Sequence, residues 1–393
     1  TAERVAALTP ENPYQSKGRK PRLLIVGAGM MGREHLRVSQ LLGWADVQGI
    51  VDPDGGSLEW ACRDWRLLTE APLTIYRDLS EACLDEAVDA IVIATPNHTH
   101  RDALHAVAAS GKPVLLEKPM ATTLADAMDI VKLARDYPTI IQLGMQYRFK
   151  AQYVEALQTV AAQSALGQVK TVAMSEYRPP FLDKVDQWNK FNHNSGGTLV
   201  EKCCHYFDLI NVFAQSRPRR VYASGGRAVN FLDFEWQGEP SDIDDHAMVI
   251  IDYDNGVRAS FTLNMFCKEL YEELVIVGER GRLVASEQAS FQPDTPSKAE
   301  LLVEVPEHPA YRGVPVGYPD WIEASGHYGA TFFEHIAFNL QLAGQTVDAA
   351  TPEQALWSLI VASAAQQSMQ SGREVDVGAF CETNGIGDFY EGR

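Results

Sequence analysis

Short apolar runs alternate with helix-like segments over residues 21–147. The run LLIV (23–26) leads into a glycine-rich turn, and the runs VDAIVIAT (88–95) and VLLE (114–117) are almost wholly apolar. Strands of a parallel sheet show this pattern because helices cover both of their faces. The segments between the runs, such as 31–42, have the length and spacing of helices. This alternation predicts a doubly wound parallel sheet, a Rossmann domain, over residues 21–147.

Longer strand-like runs, separated by turn signals, follow the Rossmann domain. The segment 246–266 contains Asp254-Asn255-Gly256 between two apolar runs, which predicts a β-hairpin. We expect a second α/β domain over residues 148–393, built on a large open and mainly antiparallel sheet. The segments 326–343 and 352–369 are predicted to be its closing helices.

The charge balance and composition exclude several classes of partner. The 393 residues carry 52 acidic against 34 basic side chains, a formal net charge of −18, so the surface repels nucleic-acid phosphates. No stretch approaches the roughly 20 apolar residues of a membrane span. Residues 1–20, an N-terminal arm, lack the apolar centre of a secretory signal, and the six cysteines lack the spacing of a disulfide framework. We expect a cytoplasmic protein that binds neither nucleic acid nor membrane.

A glycine-rich motif directly follows the first strand. The segment Gly27-Ala28-Gly29-Met30-Met31-Gly32 fits the G-x-G-x-x-G pattern, which permits a tight turn and close approach of a pyrophosphate to the helix N-terminus. Asp52 ends the second strand, 20 residues after Gly32. A carboxylate at that point binds the ribose 2′-hydroxyl and repels a 2′-phosphate. The expected cofactor is NAD rather than NADP.

Three further motifs support a family resemblance. Thr95-Pro96-Asn97-His98-Thr99-His100 and Glu117-Lys118-Pro119 follow the next two buried strands, and Gly196-Gly197 precedes Glu201 and His205. In this order, and with the glycine-rich turn, the motifs resemble the Gfo/Idh/MocA family over residues 22–370. The resemblance implies a Rossmann domain joined to an α/β domain. It also implies a homodimer or homotetramer formed through the C-terminal sheet.

The resemblance also assigns roles to individual residues. It places Glu117 at the nicotinamide ribose, Lys118 between ribose and substrate, and His205 on the family's catalytic histidine. Glu201 stands where the family usually has Asp. Beyond the glycine-rich turn and Asp52, the expected cofactor contacts are Thr95, Pro96, Asn97, His100, Glu117, Lys118 and Gln146.

These residues suit the oxidation of a secondary alcohol. A neutral histidine can accept the hydroxyl proton while hydride leaves the carbon, and a lysine stabilises the developing alkoxide. Glu201 and His205 are four residues apart, so in one helix they would share a face. Our hypothesis makes His205 the base, Lys118 its electrostatic partner and Glu201 the group that orients the imidazole or relays its proton. Glu201, His205 and the two adjacent cysteines do not form a zinc motif, because no C-x-x-C pair accompanies them.

The loop after residue 176 offers groups for a sugar. Aromatic side chains stack on sugars and amide side chains bind their hydroxyls. Arg178, Lys184 and Lys190 could also receive a carboxylate or sulfonate. A purely structural loop is the alternative. The expected substrate contacts are Lys118, Tyr177, Arg178, Trp188, His193, His205 and His327.

Three functions stay open at this stage. The leading one is an NAD-dependent dehydrogenase of a sugar, sugar derivative or inositol. A glycosidase that oxidises its sugar transiently, eliminates the leaving group, adds water and returns the hydride would use the same residues. A non-catalytic NAD-binding sensor is the third. Such a protein is expected to have lost Lys118 or His205, and this chain has both.

Overall fold

The computed structural model describes most of the chain. The predicted N-terminal arm falls almost entirely on residues 1–18, which lie outside the described residues. The described ranges are 19–161, 165–290, 297–306 and 313–392.

The chain forms two compact units. The main division follows Lys150, close to the boundary predicted after Tyr147. The first unit also contains residues 318–355, whereas the sequence predicted a continuous second domain. The second unit consists of residues 122–125, 151–317 and 356–393.

A parallel sheet forms the centre of the first unit. Its order is β3-β2-β1-β4-β5-β6, so β2 and β3 lie on one side of β1, and β4, β5 and β6 lie on its other side. Ligands bind at such a switch point, outside the carboxyl ends of the strands. The predicted Rossmann sheet is confirmed. Its strands are β1 (Arg22–Val26), β2 (Asp46–Val51), β3 (Thr74–Tyr76), β4 (Ala90–Ile93), β5 (Val114–Glu117) and β6 (Ile141–Gly144).

Helices follow the strands as the alternating pattern predicted. The helix α1 ends at Gly43, whose φ of 69° is the left-handed conformation typical of a glycine C-cap. The next helix begins where the Asp54 carboxylate accepts the Ser57 N–H. The helices up to residue 136 are α1 (Met30–Leu42), α2 (Gly55–Leu68), α3 (Leu79–Leu84), α4 (His100–Ala108) and α5 (Leu124–Asp136).

The second unit is built on a nine-stranded sheet of order β16-β15-β14-β13-β7-β12-β11-β8-β17. Strands β7 and β12 run parallel, and the other neighbouring pairs of the described sheet run antiparallel. The predicted hairpin is β11–β12, with Gly256 in its turn at a φ of +87°. Including the small β9–β10 ribbon, the strands are β7 (Val169–Tyr177), β8 (Pro218–Gly226), β9 (Glu235–Trp236), β10 (Glu239–Pro240), β11 (His246–Tyr253), β12 (Arg258–Asn264), β13 (Leu270–Gly278), β14 (Arg282–Ala289), β15 (Lys298–Glu304), β16 (Val314–Val316) and β17 (Val375–Asp376).

The two faces of this sheet differ. On one face Phe261 is buried and its ring stacks 4.9 Å from Tyr206 and meets Phe207 edge-on at 5.4 Å. The other face leaves Met248 67% and Ile250 52% exposed. The helices between residues 151 and 214 are α6 (Ala151–Ala161), α7 (Asn192–Ser195), α8 (Thr198–Glu201) and α9 (Cys204–Ala214).

Residues 318–355 add α10 (Asp320–Glu323) and α11 (Ala330–Leu342) to the first unit. Phe332 and Ile322 are buried in a cluster with Val38 of α1, and Phe338 lies in the core beneath the parallel sheet. The sequence assigned this segment to the second domain. Burial of these apolar side chains against α1 explains why it belongs to the first.

The last residues carry structure that the sequence did not predict. The long helix expected over 352–369 is present, and two short helices follow it. These elements are α12 (Pro352–Ser371), α13 (Val377–Thr383) and α14 (Gly387–Glu391). None of the described helices is long and apolar enough to cross a membrane.

Candidate active site

The glycine-rich turn joins β1 to α1. Gly27 has a φ of +94°, and a Cβ there would lie 2.6 Å from the Ala94 carbonyl oxygen. A Cβ on Gly32 would overlap the Gly27 carbonyl. A Cβ on Gly29 would meet nothing within 4 Å. Two glycines thus serve the turn itself, and the third faces open space at a helix N-terminus, which is what a pyrophosphate requires.

Asp52 closes this turn from the second strand. Its Oδ2 accepts the Ala28 N–H at 2.6 Å, and its Oδ1 accepts the Asp54 N–H at 2.7 Å. These two backbone donors fix the carboxylate at the carboxyl end of β2. Since each carboxylate oxygen can accept more than one hydrogen bond, the group can still receive a ribose hydroxyl.

His100 links the two loops that the sequence assigned to the nicotinamide. Its ring is fully buried, with Nδ1 2.8 Å from the Pro119 oxygen and Nε2 2.9 Å from the Thr95 oxygen. Asn97 lies in the same loop and is 4% exposed. The side chain of His100 therefore holds the loops after β4 and β5 together. Its direct contact with a cofactor stays a prediction.

Glu117 and Gln146 are the polar groups buried at the ends of β5 and β6. Glu117 is 2% exposed, and its Oε2 accepts the backbone N–H of Lys118 at 3.0 Å. Gln146 is fully buried, and neither atom of its amide has a hydrogen-bond partner among the described residues. An unsatisfied buried amide is costly. It therefore fits a site whose ligand supplies a donor and an acceptor, as NAD would.

His327 contacts α1 within the first unit. Its Nδ1 lies 2.7 Å from Oε1 of Glu34, which also accepts the Thr331 hydroxyl at 2.6 Å. Burial raises the pKa of Glu34, but the charge and hydrogen bond of His327, with Thr331 and Arg37, outweigh burial and lower the pKa to about 2. The residue predicted to contact substrate is thus held by a carboxylate that stays ionised.

Glu201 and His205 do not lie in one continuous helix. α8 ends at Glu201, and the N–H groups of Tyr206 and Phe207 bond to the Cys203 oxygen to begin α9. The single helix that was expected to carry both side chains is therefore interrupted. The reason is a turn at residues 202–203. Both side chains are nevertheless almost fully buried, at 4% and 2% exposure.

Lys184 binds Glu201 directly. Its Nζ lies 3.0 Å from Oε1 of Glu201 and 4.2 Å from the centre of the Trp188 ring. The sequence offered Lys184 as a receiver of a carboxylate, and the carboxylate in the structure is the chain's own. This ion pair brings Trp188, Lys184 and Glu201 into one cluster.

The other predicted substrate residues of the second unit are spread more widely. Arg178 Nη1 and Lys202 Nζ lie 3.6 and 3.2 Å from Oε1 of Glu176, which is fully buried. Tyr177, on the opposite face of β7, is 36% exposed. His193 is largely exposed and lies 3.3 Å from Glu239.

Sequence reasoning missed two histidines in the first unit. His35 Nε2 lies 3.0 Å from Oε1 of Glu117, and His35 Nδ1 lies 2.8 Å from Nε2 of His335. The one available signal was that His35 comes three residues after Gly32, on the helix that the glycine-rich turn begins. Nothing local marked His335.

The first unit therefore has the fold and the turn of a dinucleotide-binding protein. A family model described as an oxidoreductase family with an NAD-binding Rossmann fold matches residues 22–145. A second, described as the C-terminal alpha/beta domain of the oxidoreductase family, matches residues 161–377. The chain belongs to the Gfo/Idh/MocA family of oxidoreductases, and its cofactor is NAD.

Named relatives agree with this assignment. The chain is 27% identical to inositol 2-dehydrogenase of Leifsonia xyli over 64% of this chain and 68% of that protein. It is 22% identical to the 2,7-anhydro-N-acetylneuraminate hydratase of Escherichia coli over 90% of this chain and 96% of that protein. The match to the rhizopine catabolism protein MocA of Rhizobium meliloti, at 28% identity, spans 50% of this chain and 58% of that protein.

Solved structures share the fold. A levoglucosan dehydrogenase in complex with NADH and levoglucosan superposes with a TM-score of 0.73 at 19% identity, over 91% of this chain and all of that chain.

Proposed function

We propose that this chain uses NAD to oxidise or reduce a hydroxyl-bearing carbon of a sugar, sugar derivative or inositol. The observation that carries the proposal is the presence of both Lys118, at the carboxyl end of β5 beside Glu117, and His205, buried at the start of α9, in a chain of this family. The relative named inositol 2-dehydrogenase supports this substrate class.

In this proposal the chain's own residues handle the proton and the charge. His205 accepts the hydroxyl proton as the carbon–hydrogen bond breaks. Lys118 stabilises the negative charge that develops on the substrate oxygen. Bound NAD supplies the hydride acceptor. Glu201, held by Lys184, orients the imidazole of His205 or relays its proton.

The remaining polar and aromatic groups would bind the substrate. Trp188 and Tyr177 offer ring faces for a sugar, and Arg178 offers a donor fork. The substrate contacts that we propose are Lys118, Tyr177, Arg178, Trp188, His193, His205 and His327. The cofactor contacts that we propose are the glycine-rich turn with Met30 and Met31, Asp52, Thr95, Pro96, Asn97, His100, Glu117, Lys118 and Gln146.

Lys118→Met and His205→Gln test the central roles. Each should lower kcat by about 100- to 10,000-fold, the range typical of lost acid–base or charge stabilisation. His205→Gln should leave the Kd for NAD within about twofold, because its role begins with the substrate. His105→Gln, on the exposed face of α4, is the control and should keep full turnover. Full turnover in both active-site variants would refute the proposal.

A second function is favoured by one observation. The hydratase relative matches over 90% of this chain. A redox glycosidase or related lyase would oxidise the sugar, eliminate a leaving group, add water and return the hydride. It needs a further acid or base, for which Glu201, Tyr177 and His193 are the available residues.

We also propose that the chain forms a homodimer or homotetramer through the C-terminal sheet. The apolar side chains Met248 and Ile250 of β11 are exposed on one face of that sheet, and Tyr222 of β8, opposite Ile250, is 44% exposed beside them. A patch of this kind marks an interaction surface.

A further inference from the structure

A chain of buried polar side chains connects Glu117 to Ser39, which lies one turn after His35 on α1. Ser39, His35, His335 and Glu117 are each at most 2% exposed. Oε1 of Glu117 lies 3.0 Å from His35 Nε2, His35 Nδ1 lies 2.8 Å from His335 Nε2, and His335 Nδ1 lies 3.4 Å from the Ser39 hydroxyl. All four residues belong to the first unit.

The chemistry of the groups limits the directions of these hydrogen bonds. A carboxylate only accepts, so His35 Nε2 donates to Glu117. Burial is the main cause that lowers the pKa of His335 well below its ordinary value, so this imidazole is neutral and carries one hydrogen. With the donor order Ser39 to His335, His335 to His35 and His35 to Glu117, every polar atom of the two imidazoles is satisfied.

The Glu117 carboxylate is also confined from the sheet side. A Cβ on Gly144 would lie 3.0 Å from the Glu117 Cα and 3.2 Å from its carboxyl carbon and Oε2. Oε2 accepts the Lys118 N–H at 3.0 Å. The carboxylate therefore lies between the imidazole of His35 and the end of β6.

The two neighbouring acids, Glu334 and Glu34, do not hold the Glu117 carboxylate. Glu334 precedes His335 on α11, is fully buried, and has no hydrogen bond to either carboxyl oxygen within the described chain. Burial, with the charges of Glu117 and Glu34, raises the pKa of Glu334 well above its ordinary value, so it is protonated. Glu34 is engaged by His327 and Thr331.

We infer that His35 and His335 are positioning residues that hold the Glu117 carboxylate in the orientation in which it binds the nicotinamide ribose. The inference rests on the proposed contact between Glu117 and that ribose. It assigns a function in cofactor binding to a histidine 218 positions after Glu117 in the chain.

The test is a double-mutant cycle on the Kd for NAD, measured by titration calorimetry with no substrate present. Glu117→Gln should raise the Kd about tenfold, the effect of roughly 1.4 kcal/mol of binding. His335→Leu should raise it by about five- to tenfold. His335→Gln should raise it less, because the amide can still donate to His35. In the Glu117→Gln background, substitution of His335 should change the Kd by less than about twofold, because coupled residues are non-additive.

Phe338→Leu is the structural control. Phe338 is buried on the same helix as His335 but packs in the apolar core. It should lower the thermal midpoint without moving the Kd for NAD. If His335→Leu does not fold, His335→Gln and Ser39→Ala carry the same cycle.

The outcomes separate the inference from the proposal beneath it. An unchanged Kd in Glu117→Gln would refute the proposed ribose contact and the inference with it. A raised Kd in Glu117→Gln, with His335 variants that either leave the Kd unchanged or act equally in both backgrounds, would overturn the inference alone. Non-additive increases in Kd support it.

Discussion

Glu201 stands where the family resemblance led us to expect Asp. The longer side chain reaches Lys184, whose ammonium lies 3.0 Å from its Oε1 and 4.2 Å from the Trp188 ring centre. Both partners are well shielded from solvent, with side-chain exposures of 25% for Lys184 and 5% for Glu201. Ion pairs of this kind favour the ionised carboxylate more strongly than exposed ones do.

Lys184→Met should lower turnover. Loss of the ammonium removes this ion-pair partner from the buried Glu201 carboxylate. Turnover at neutral pH should fall about tenfold, in the range of a charged hydrogen bond lost from a buried partner. Lys184→Arg keeps the charge and should restore most of the turnover. Equal turnover in Lys184→Met and the unaltered protein would contradict this role for Lys184.

Residue-level prediction from sequence succeeded where a motif set the local geometry. Asp52 and the Glu117-Lys118 pair lie at strand ends, as the motifs required. The pairing of His35 with His335 had no local signal, because the two residues are 300 positions apart and meet only when α11 packs in the first unit. Lys184 was singled out for its charge, but its partner depends on the loop at Val185–Lys190, where Asp186 and Gln187 have φ of 50° and 55°.

At the scale of elements, the glycines of the glycine-rich turn have two different functions: one leaves room for a ligand, and another allows close backbone packing. Gly29 faces open space, whereas Gly27 lies against the Ala94 carbonyl at a positive φ. The same substitution should therefore have different consequences at the two positions.

Gly29→Ala should weaken NAD binding without destabilising the fold. We expect the Kd for NAD to rise at least about tenfold, because the methyl group occupies the space through which the pyrophosphate approaches. Without cofactor, the thermal midpoint should stay within about 2 °C of that of the unaltered protein. This shift is smaller than a loss of about 1 kcal/mol in unfolding free energy would cause. Gly27→Ala, the matched variant, should lower the midpoint clearly. Equal effects on stability at both positions would argue against this division.

Element types were predictable because buried parallel strands appear as short apolar runs and the Asp254–Gly256 turn marks its hairpin. The break between α8 and α9 was not predictable. The dihedrals of Lys202 and Cys203 stay right-handed helical at this break. Neither lysine nor cysteine is a residue type that signals a turn.

At the scale of the whole molecule, the assignment of residues 318–355 was the main error. An amphipathic pattern shows which face of a helix is apolar, but it does not show which sheet that face covers. Here Phe332 and Ile322 pack against α1 of the first unit.

Ile250→Glu tests the proposed assembly. A charge in the centre of the exposed face of β11 should weaken the assembly. The molecular mass measured by sedimentation equilibrium should then fall to, or strongly towards, the 43.4 kDa of a single chain. Leu84→Glu, at a similarly exposed apolar position in the first unit, should leave the mass unchanged. A mass unaffected by Ile250→Glu would place the contact elsewhere.

The class of reaction is the central claim, and substoichiometric NAD tests it most directly. The protein is incubated with limiting NAD and a panel of free sugars, inositols and glycosides, and NADH is followed together with released products. We predict that NADH rises in step with turnover and stops when the supplied NAD is consumed, with a sugar or inositol as substrate. Many substrate molecules converted per NAD, with a cleaved or hydrated product and no lasting NADH, would contradict the dehydrogenase proposal and establish the redox-neutral alternative.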